Sequence, residues 1–372
     1  MNVAKKITVS VISDLTTDQR VIRISNCLQE MGFDVTVIAR CFNNSLPLDT
    51  YLFKAQRIHC IFKKGMLQYA EFNIKLFFKL LFIKTDYLLA NDLDTLLPNY
   101  ILHKWRRKKL FYDTHEYFTG VPELSQKPLK RRIWKALENY IFPKLPVVYT
   151  VNNSVKNTYQ KEYGNHLQVV RNVPVTQSIT PINIPTAWQH KTIILLQGAG
   201  INEGRGGMEL LQAMQILPDE YLLLMIGSGN QWEAIAAKRI QLNLQHKVVM
   251  LNKLPPAQLK QYTAIAHVGL SLDSFEDLNC LYNLPNKVFD YIHATVPIIA
   301  TAIPEVKAII EAYHVGITIT NNEPETIATA IQQLFADQQQ YQQLKINCSK
   351  AATLLCWENE QHQLIKIYEP FL

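Results

Sequence analysis

The sequence lacks three features that would assign a broad class at once: a long apolar run, a paired-cysteine motif and a metal-ligand cluster. No segment approaches the roughly 18 to 20 uninterrupted apolar residues of a membrane-spanning helix. The start, MNVAKKITVSVISD, is typical of a strand rather than of a signal peptide. The six cysteines form no CxxC pair. We therefore expect free thiols in a reducing cytoplasm and no bound metal.

Acidic residues are scarce in the first half of the chain. Residues 1–190 carry 26 Lys and Arg against 14 Asp and Glu, a net charge of +12. Residues 191–372 carry 12 against 17, a net charge of −5. This asymmetry indicates that the first half meets an anionic surface, either a membrane or a nucleic acid.

The 372-residue chain does contain a repeated alternation of short apolar runs with helical patterns. The runs include ITVSVISD, DVTVIAR, YLLAN and KLFYDT, and later TIILLQG, YLLLMIGSG, KVVML, VGLSL and PIIAT. This alternation predicts an α/β fold of two doubly wound, Rossmann-like domains, at 1–175 and 191–355. The stretch 176–190 has the Pro, Thr and Ser content of a linker, and 356–372 is expected to form a helix that packs back on the first domain. A ligand is expected in the cleft between the domains, at the carboxyl ends of the strands.

The segment LLQGAGINEGRGGMELLQA predicts a strand, a glycine-rich loop and a helix. Such a loop lets backbone amides approach phosphate oxygens, and the helix start adds partial positive charge. Arg205 lies just before the helix, where it can pair with a diphosphate. The pattern is not GxGxxG and no acidic residue follows on a second strand, which disfavours a nicotinamide site. The alternative is an ordinary glycine turn with a solvated arginine.

The stretch NLPNKVFDY, 283–291, predicts a helix whose first residue is Pro285. Lys287 then lies in the first turn, at the positive end of the helix dipole, where a carboxylate is normally favoured. Lys287 and Asp290 are three residues apart on one side of that helix. Two interpretations stay open. The pair is either a surface ion pair of roughly 0.2–0.5 kcal/mol, or Lys287 binds a phosphate while Asp290 accepts hydrogen bonds from ribose hydroxyls.

Several segments resemble one enzyme family. In the second half GAGINEGRGGMELLQA, LMIGSG and GLSLDSFEDLNCLYNLPNKVFDYIHATVPIIAT are similar to the second domain of a GT-B glycosyltransferase of the retaining family 4 type. In the first half SDLTTDQRVIRISNCLQEMGFDVTVIAR, ANDLDTLLP and YDTHEYFTGVPEL resemble a bacterial branch of that family. The similarity covers nearly the whole chain in the right order. It implies the GT-B fold, in which two Rossmann-like domains face each other across a cleft.

The resemblance implies a donor site in the second domain. Arg205 matches the basic residue that contacts the donor diphosphate, and Asp290 stands where the family holds the ribose, an aspartate instead of the usual glutamate. The residues expected around the donor are Gly198, Gly200, Arg205, Gly206, Asn283, Leu284, Lys287 and Asp290. Two positions depart from the family pattern: Tyr282 replaces an acidic residue near the donor sugar, and Ala199 replaces a common arginine.

The resemblance also implies functional residues in the first domain. His115 matches a family histidine that faces the donor sugar across the cleft, and it joins Arg205 and Lys287 as an expected catalytic residue. Asp18, Arg20 and Glu116 are expected on the acceptor side or in the cleft. For the loop SDLTTDQR, which contains the first two of these, the alternative is a helix N-cap.

The sequence NDLD, 91–94, contains the DxD pattern that binds a metal and a nucleotide diphosphate in GT-A glycosyltransferases. Here it follows a strand of a doubly wound domain, and no histidine or further carboxylate completes a metal site. We therefore expect Asp92 or Asp94 to cap the following helix or to line the cleft.

Basic and aromatic residues are interleaved in three stretches of the first half. These are IFKKGMLQYAEFNIKLFFKLLFIK, HKWRRKK and KPLKRRIWKALENYIFPK. Such stretches can rest on an anionic leaflet, with lysines at the phosphates and aromatics at the interface. The alternative is a core-facing amphipathic helix with a solvated basic face. Nucleic acid is disfavoured as a partner because no recognition motif accompanies the charge.

Together these observations predict a cytoplasmic, metal-independent, retaining glycosyltransferase of the hexosyltransferase type. It would move a sugar from a nucleotide-diphosphate donor, its substrate rather than a cofactor, to a glycan or lipid-linked acceptor in bacterial surface polysaccharide synthesis. An anionic membrane surface is a further expected partner, with the protein peripheral on the inner face. Two alternatives stay open: a non-catalytic GT-B relative that binds nucleotide or glycan, and a GT-B sugar-nucleotide epimerase.

Overall fold

The computed structural model describes residues 4–43, 45–48, 50–120, 127–276 and 278–372. The chain forms two compact units. Unit 1 comprises Met1–Asn172 together with Glu360–Leu372, and unit 2 comprises Val173–Asn359. The terminal residues of the chain are therefore counted with the unit that contains its beginning.

Unit 1 is built on a seven-stranded sheet in the order β3-β2-β1-β4-β5-β6-β7. Every neighbouring pair of strands is parallel. The strands are β1 Lys6–Ser10, β2 Asp34–Cys41, β3 Lys54–His59, β4 Tyr87–Asn91, β5 Lys109–Thr114, β6 Val147–Thr150 and β7 Leu167–Val169. The helices are α1 Gln19–Glu30, α2 Met66–Phe82, α3 Leu93–Arg106, α4 Pro128–Ile141 and α5 Asn153–Tyr163.

Unit 2 is built on a six-stranded sheet in the order β10-β9-β8-β11-β12-β13, again with every pair parallel. Its strands are β8 Thr192–Gly198, β9 Tyr221–Gly227, β10 Val248–Asn252, β11 Val268–Ser271, β12 Ile298–Thr301 and β13 Gly316–Ile319. Its helices are α6 Gly207–Ile216, α7 Trp232–Gln241, α8 Pro256–Thr263, α9 Leu278–Leu281, α10 Asn286–His293, α11 Pro304–Tyr313, α12 Pro324–Ala336 and α13 Gln338–Leu354. A last helix, α14 Trp357–Tyr368, starts in unit 2 and ends in unit 1. The predicted fold class, two doubly wound α/β units, is confirmed.

Local sequence explains the elements that lead into the sites. Helix α1 buries Val21, Ile24 and Leu28, which recur at helical spacing and pack on the sheet. The strand cores are continuous apolar runs, as expected for parallel strands covered on both faces. In β9 all seven residues from Tyr221 to Gly227 are buried.

The two strands that the sequence did not predict are both sheet edges. β3 has the sequence KAQRIH and only Ile58 is buried, and β13, GITI, buries only Ile319. Edge strands contact one neighbour instead of two, so they need no continuous apolar run, and charge on them discourages pairing with other chains. The apolar run that identified the central strands is absent from β3, whereas β13 lies in the short alternating run VGITIT, which the sequence-based prediction overlooked.

The end of the chain packs against the sheet of unit 1. The Tyr368 ring stacks on Phe111 with centroids 4.3 Å apart, and its hydroxyl lies 3.2 Å from that of Tyr149. The Tyr87 hydroxyl donates to the carbonyl oxygen of Phe371 at 2.9 Å. Because Tyr368 is fully buried, this segment is part of the core of unit 1.

The stretch 176–190, for which the sequence predicts a linker, is counted with unit 2. The amide of Ile182 donates to the carbonyl of Gln261 at 3.4 Å, and Thr186–Trp188 forms a single 3₁₀ turn. Trp188 packs against one of the two apolar clusters of unit 2. None of the helices in the described part of the chain is both long and apolar enough to cross a membrane.

Candidate functional site

Unit 2 has its candidate site where the strand order changes direction. β8 pairs with β9 on one side and with β11 on the other. In open parallel sheets ligands bind at such a point, beyond the carboxyl ends of the strands. The loop after β8, the loop after β11 and the first turn of α10 are the segments that supply side chains there.

The glycine-rich loop after β8 is held by the loop after β9. The Ile201 amide donates to the Ser228 carbonyl at 2.7 Å, and the Ser228 hydroxyl donates to the Ala199 carbonyl at 3.0 Å. At Gly227, whose φ is +159°, a Cβ would lie 1.9 Å from the carbonyl oxygen of Gly198. The two loops can approach this closely only because position 227 has no side chain.

Gly206 is the last residue of the loop and directly precedes helix α6. Its φ of +72° is in the left-handed region, and a Cβ there would lie 2.2 Å from Cβ of Leu272. Gly206 occupies the N-cap position without a side-chain cap. The first amides of α6 therefore point outward with partial positive charge, which suits an anion.

Arg205 forms an ion pair with Asp273 through Nη1 and Oδ1. The Asp273 side chain is fully buried and the Arg205 side chain is 23% exposed. The Ser271 hydroxyl donates to the other carboxylate oxygen of Asp273 at 3.2 Å, and the Thr301 hydroxyl donates to its carbonyl at 2.7 Å. Asp273 thus fixes the guanidinium beside the glycine-rich loop.

Lys287 is the second residue of α10 and lies in the electrostatic field of that pair. Burial lowers the pKa of the Lys287 ammonium, Asp273 acts to raise it, and Arg205 lowers it. The two predicted cations, Arg205 and Lys287, are therefore close enough to affect each other's charge, and Asp273 acts on both. This cluster of three side chains has a net positive charge, at the start of a helix whose own dipole adds to it.

Asp290 lies one turn further along α10 and is oriented by Gln197, a residue at the end of β8. Gln197 Nε2 donates to Asp290 Oδ2 at 3.2 Å, while its Oε1 accepts from the Thr263 hydroxyl at 2.7 Å. Because Gln197 is only 2% exposed and both ends of its amide are engaged, the Asp290 carboxylate has a defined position.

The residues between α9 and α10 are half-buried. The Tyr282 amide donates to the Leu278 carbonyl, and the Asn283 amide donates to the Cys280 carbonyl at 3.2 Å. Leu284 packs against an apolar cluster of unit 2. The helix begins at Asn286 with Pro285 as its N-cap residue, so the prediction of Pro285 as the first helical residue is wrong by one position.

Unit 1 has its own polar cluster at the carboxyl ends of β4 and β5. His115 follows β5, and its backbone amide donates to Asp92 Oδ1 at 2.8 Å. Its Nδ1 lies 3.0 Å from Asp92 Oδ2 and its Nε2 lies 3.1 Å from Asp113 Oδ2. Each ring nitrogen therefore faces a carboxylate oxygen, an arrangement that requires both nitrogens to donate.

The charge state of His115 follows from those two contacts. Burial acts to lower the pKa of His115, but Asp92 and Asp113 outweigh it and raise that pKa well above its ordinary value. The side chain is an imidazolium that is 22% exposed. Its ring nitrogens are committed to the protein, which leaves a fixed positive charge rather than a free proton donor.

Arg20 fixes Asp113 from the other side. Arg20 Nε donates to Asp113 Oδ2 at 2.9 Å and Nη2 donates to Oδ1 at 2.8 Å, a bidentate geometry. Nη1 donates to the Val170 carbonyl at 2.7 Å. Burial acts to raise the pKa of Asp113, but Arg20 and His115 lower it below its usual value, so the carboxylate stays ionised.

Neither Asp92 nor Asp94 caps α3 with its side chain, although the sequence predicted that one of them would do so or line the cleft. Asp92 occupies the N-cap position with φ +58°, but its side chain makes no cap hydrogen bond and binds His115 instead. Asp94 lies in the first turn and is 7% exposed; burial raises its pKa well above its usual value, and the charge of Asp92 adds to the effect. Among the described residues no group of three or more His, Cys, Asp or Glu could hold a metal ion.

Two family models match the chain, one in each half. The model described as Glycosyl transferases group 1 matches residues 182–351, and the model described as Glycosyltransferase Family 4 matches residues 18–173. The chain is a GT-B glycosyltransferase of the family 4 type. The resemblance to GT-B glycosyltransferases of the family 4 type is confirmed.

Solved structures show the same fold. Sucrose-phosphate synthase from Thermosynechococcus elongatus has a TM-score of 0.83 at 16% identity, covering 98% of both chains. HepE from Anabaena, in complex with UDP and glucose, has a TM-score of 0.76 at 14% identity, covering 99% of this chain and 100% of its own. A putative UDP-N-acetylglucosamine 2-epimerase from Listeria monocytogenes has a TM-score of 0.68 at 12% identity, covering 99% and 97%. At these identities the likeness shows the GT-B fold alone. None of the curated proteins matches the sequence.

In this glycosyltransferase the predicted site residues form two groups, one in each unit. The donor-side residues of unit 2 are Gly198, Gly200, Arg205, Gly206, Asn283, Leu284, Lys287 and Asp290. Those of unit 1 are Asp18, Arg20, His115 and Glu116. Their functional roles stay predictions, but several have a structural partner that the sequence did not indicate.

Asp18 and Arg20 were expected on the acceptor side or in the cleft, but both side chains bind other parts of unit 1. Asp18 caps α1, because its carboxylate accepts from the Val21 amide at 3.1 Å, which is the N-cap alternative left open by the sequence. Arg20 is 4% exposed, so its guanidinium serves Asp113. Glu116 is half-buried, and its carbonyl accepts from the Thr114 hydroxyl at 2.9 Å.

The sequence interpretation missed three polar residues that orient the glycosyltransferase site side chains: Asp113, Gln197 and Asp273. It named Asp92, but as a helix cap or a cleft residue and not as a partner of His115. A usable signal existed for Asp113, since it lies two residues before His115 and side chains at that spacing share a face of a strand. Asp273 gave a similar signal, since it follows the end of β11 by two residues. Gln197 carried no signal, because it stands inside an apolar strand and acts through a helix 93 residues later.

Proposed function

We propose that this glycosyltransferase moves a hexose from a nucleotide-diphosphate sugar to a glycan or lipid-linked acceptor, with retention at the anomeric carbon. The observation that carries the proposal is the cluster of Arg205 and Lys287 beside the start of α6. Asp273 pairs with Arg205, and Lys287 lies in the field of both, so two cations with one carboxylate leave positive charge for a diphosphate.

The donor occupies the carboxyl ends of β8 and β11 in unit 2. Backbone amides of 198–206 and the first turn of α6 receive phosphate oxygens, and Arg205 and Lys287 bind the diphosphate. Asp290, oriented by Gln197, accepts hydrogen bonds from the ribose hydroxyls. HepE, which shares the fold, was solved with UDP-glucose, and this supports a nucleotide sugar as the donor class.

The transfer step separates a sugar oxocarbenium from the leaving diphosphate, so the largest demand is positive charge at the leaving group. Arg205, Lys287 and the helix starts meet that demand without a metal ion. The acceptor hydroxyl attacks from the side of the departing diphosphate, and a diphosphate oxygen takes its proton. Retention follows because the new bond forms on the face from which the old one leaves.

His115 serves the same step as a fixed cation. Its two ring nitrogens are bound to Asp92 and Asp113, so it acts through charge and ring position rather than by proton transfer. Arg20 is a positioning residue. Its guanidinium is buried and binds Asp113, so it does not contact a ligand itself. Glu116 remains our candidate for the acceptor side.

The acceptor is proposed to be an intermediate of bacterial surface polysaccharide synthesis, used by the cytoplasmic enzyme at the inner face of the membrane. The fold also occurs in a putative UDP-N-acetylglucosamine 2-epimerase. A non-catalytic GT-B relative would bind the same nucleotide. Product analysis separates the three: transfer to an added acceptor, epimer formation without acceptor, or neither.

Thermal shift against a panel of nucleoside diphosphates and their sugars tests the donor site. The expected result is stabilisation by one nucleoside diphosphate, since a ligand at 100 times its Kd adds about 2.7 kcal/mol to the folded state. Arg205→Ala and Lys287→Ala should each lose most of that shift, whereas Lys350→Ala, an exposed lysine of α13, should keep it. Retention of the full shift by both site variants would refute the assignment.

A further inference from the structure

Half of the exposed large apolar side chains in the described part of the chain lie in one segment of unit 1. Of the 24 such residues in the described part of the chain, 12 lie between residues 61 and 140. On α2 the side chains of Ile74, Phe78 and Phe82 are 57%, 53% and 82% exposed. They follow i, i+4, i+8 spacing and form one stripe. The buried side chains of this helix are Phe72, Leu76 and Leu80, which form the stripe on its opposite side.

Helices α3 and α4 carry stripes of the same kind. On α3 Leu97, Ile101 and Trp105 are 39%, 41% and 65% exposed, with the same spacing as the stripe on α2. On α4 the corresponding side chains are Leu129, Ile133 and Tyr140, at 72%, 49% and 63%. A solvated surface helix normally presents polar residues on this side.

The three helices that carry the stripes are neighbours, so their exposed sides lie next to one another. The rings of Tyr69 on α2 and Trp134 on α4 meet edge to face with centroids 5.3 Å apart. Tyr100 on α3 and Tyr140 on α4 do so at 6.3 Å. We call this surface the apolar face; it consists of Ile74, Phe78, Phe82, Leu97, Ile101, Trp105, Leu129, Ile133 and Tyr140.

A basic depression of about 560 Å³ adjoins the apolar face. It lies where the carboxyl ends of α2 and α3 meet the amino ends of β1, β4 and β5, and Phe82 forms part of its wall. Its charged lining is Lys6, Lys84, Asp86, Arg106 and Lys108. Helix carbonyl ends attract cations and explain some of this charge, but Lys6 and Lys108 lie at the starts of strands.

The single carboxylate of the depression does not neutralise it. Asp86 accepts from the Lys6 backbone amide at 2.9 Å and lies 3.9 Å from Lys108 Nζ. Lys84 and Arg106 form no ion pair within the described residues, and the Arg106 guanidinium lies over the Trp105 ring at 5.8 Å. The lining carries four cations against one anion, open to solvent beside exposed aromatic rings.

Two further acidic side chains between residues 61 and 110, Glu71 and Asp92, are bound to other groups of unit 1. Residues 61–110 contain ten Lys and Arg against four Asp and Glu. Glu71 accepts from the amides of Ile61 and Phe62 and from Lys75, and Asp92 binds His115. The surface that carries the apolar face is therefore cationic as well as apolar.

We propose that the apolar face and the basic depression together form a docking surface for an anionic lipid leaflet. The aromatic and aliphatic stripes enter the boundary between headgroups and acyl chains, and Lys6, Lys84, Arg106 and Lys108 bind lipid phosphates. Charge decides between this occupant and a second copy of the chain, because two such cationic surfaces repel each other. The inference rests on the proposed location at the inner face of the membrane and names the surface responsible, and its test does not depend on the transfer reaction.

Vesicle flotation tests the surface with the full-length protein. The probes are vesicles of phosphatidylcholine alone and of phosphatidylcholine with 30% phosphatidylglycerol. The expected result is binding to the anionic vesicles alone, which weakens between about 0.1 and 0.5 M salt as charges are screened. Since each cation near an anionic leaflet contributes roughly fivefold, Lys84→Gln with Arg106→Gln and Lys108→Gln should lower the partition coefficient on the order of 100-fold.

Two further variants separate insertion from charge attraction. Phe78→Ser with Phe82→Ser and Trp105→Ser should lower partitioning at least tenfold and should make the remainder fully salt-sensitive. The matched control, Ile240→Ser with Leu354→Ser, removes apolar side chains of unit 2 that are 60% and 57% exposed, and it should bind like the parent. Circular dichroism of each variant verifies folding.

Three results would overturn the proposal. They are equal binding by the control and the apolar-face variant, equal binding to neutral and anionic vesicles, and a parent dimer that the apolar-face variant converts to monomer in light scattering. Displacement of the protein from vesicles by millimolar inorganic phosphate would assign the depression to a free anion instead of a lipid. The thermal shift that a nucleotide causes should be the same in these variants as in the parent. Failure of the donor-site assignment can therefore be distinguished from failure of the docking surface.

Discussion

Arg205 and Asp273 form an ion pair in which the carboxylate is fully buried and the guanidinium is 23% exposed, with Lys287 in the field of both. The pair explains how an arginine of a glycine-rich loop acquires a fixed position. It also explains why a lysine is tolerated in the first turn of α10, because Asp273 partly offsets the neighbouring cation. The remaining positive charge is available to a ligand.

The charge of Lys287 should make nucleotide binding depend on pH. Burial lowers its pKa, so the ammonium loses its proton at a lower pH than an exposed lysine does. Diphosphate binding requires the ammonium, and affinity should therefore fall as pH rises above 7 through that lowered pKa. Lys287→Arg keeps its charge over the whole range, so its affinity should stay flat. Calorimetric titration with a nucleoside diphosphate from pH 7 to 10 measures both; parallel profiles would contradict the role of Lys287.

The effect of the close contact between Gly206 and Leu272 can be measured against a second glycine that has the same φ but no close neighbour. Gly206 and Gly164 both have φ +72°, but a Cβ at Gly206 would lie 2.2 Å from Leu272, while nothing lies within 4 Å at Gly164. Gly164→Ala should cost only the left-handed backbone strain, about 1–2 kcal/mol. Gly206→Ala should cost roughly 2 kcal/mol more and weaken nucleotide binding, because the start of α6 must shift. Denaturant unfolding and thermal shift measure the two effects; equal losses would show that the Leu272 contact is unimportant.

The imidazolium of His115 should stabilise unit 1 in a pH-dependent way. Its pKa is raised in the folded state by Asp92 and Asp113, so its contribution is complete below the ordinary value of about 6.5 and disappears as pH rises through the raised pKa. His115→Gln should abolish this dependence, whereas His362→Gln, at an exposed position of α14, should leave it unchanged. Unfolding free energies between pH 6 and 10 measure it, and NMR should show the His115 ring titrating well above the ordinary pKa of a histidine. A ring that titrates near 6.5 would contradict the double contact.

Arg20 should matter through Asp113 rather than through a ligand. Arg20→Ala leaves a fully buried carboxylate without its bidentate partner, and removing one member of a buried pair typically costs about 3–5 kcal/mol. The double variant Arg20→Ala with Asp113→Ala should cost less than the sum of the single variants. Urea unfolding gives the coupling, and Asp113→Asn should lower the His115 pKa measured by NMR. Additive losses with an unchanged His115 pKa would rule out the positioning role.

The central strands of both sheets could be predicted from the sequence because parallel strands buried on both faces are continuous apolar runs. β4 and β5 have the predicted bounds, 87–91 and 109–114. The edge strand β3 could not be predicted, since its sequence KAQRIH contains no apolar run. β13 was overlooked although β-branched residues alternate in VGITIT. The helix at 286–293 was predicted with an error of one residue at its start, where Pro285 is the N-cap.

The sequence by itself determined which residues end the strands and begin the helices, and hence the glycine-rich loop, Arg205, Lys287 and the position of His115. Local spacing and composition are sufficient for that, because backbone geometry repeats over a few residues. Only the tertiary structure decided what each side chain binds. Asp273 meets Arg205 across 68 residues, and Asp113 meets Arg20 across 93. Such partners are selected by the order in which strands join a sheet, and no local pattern records that order.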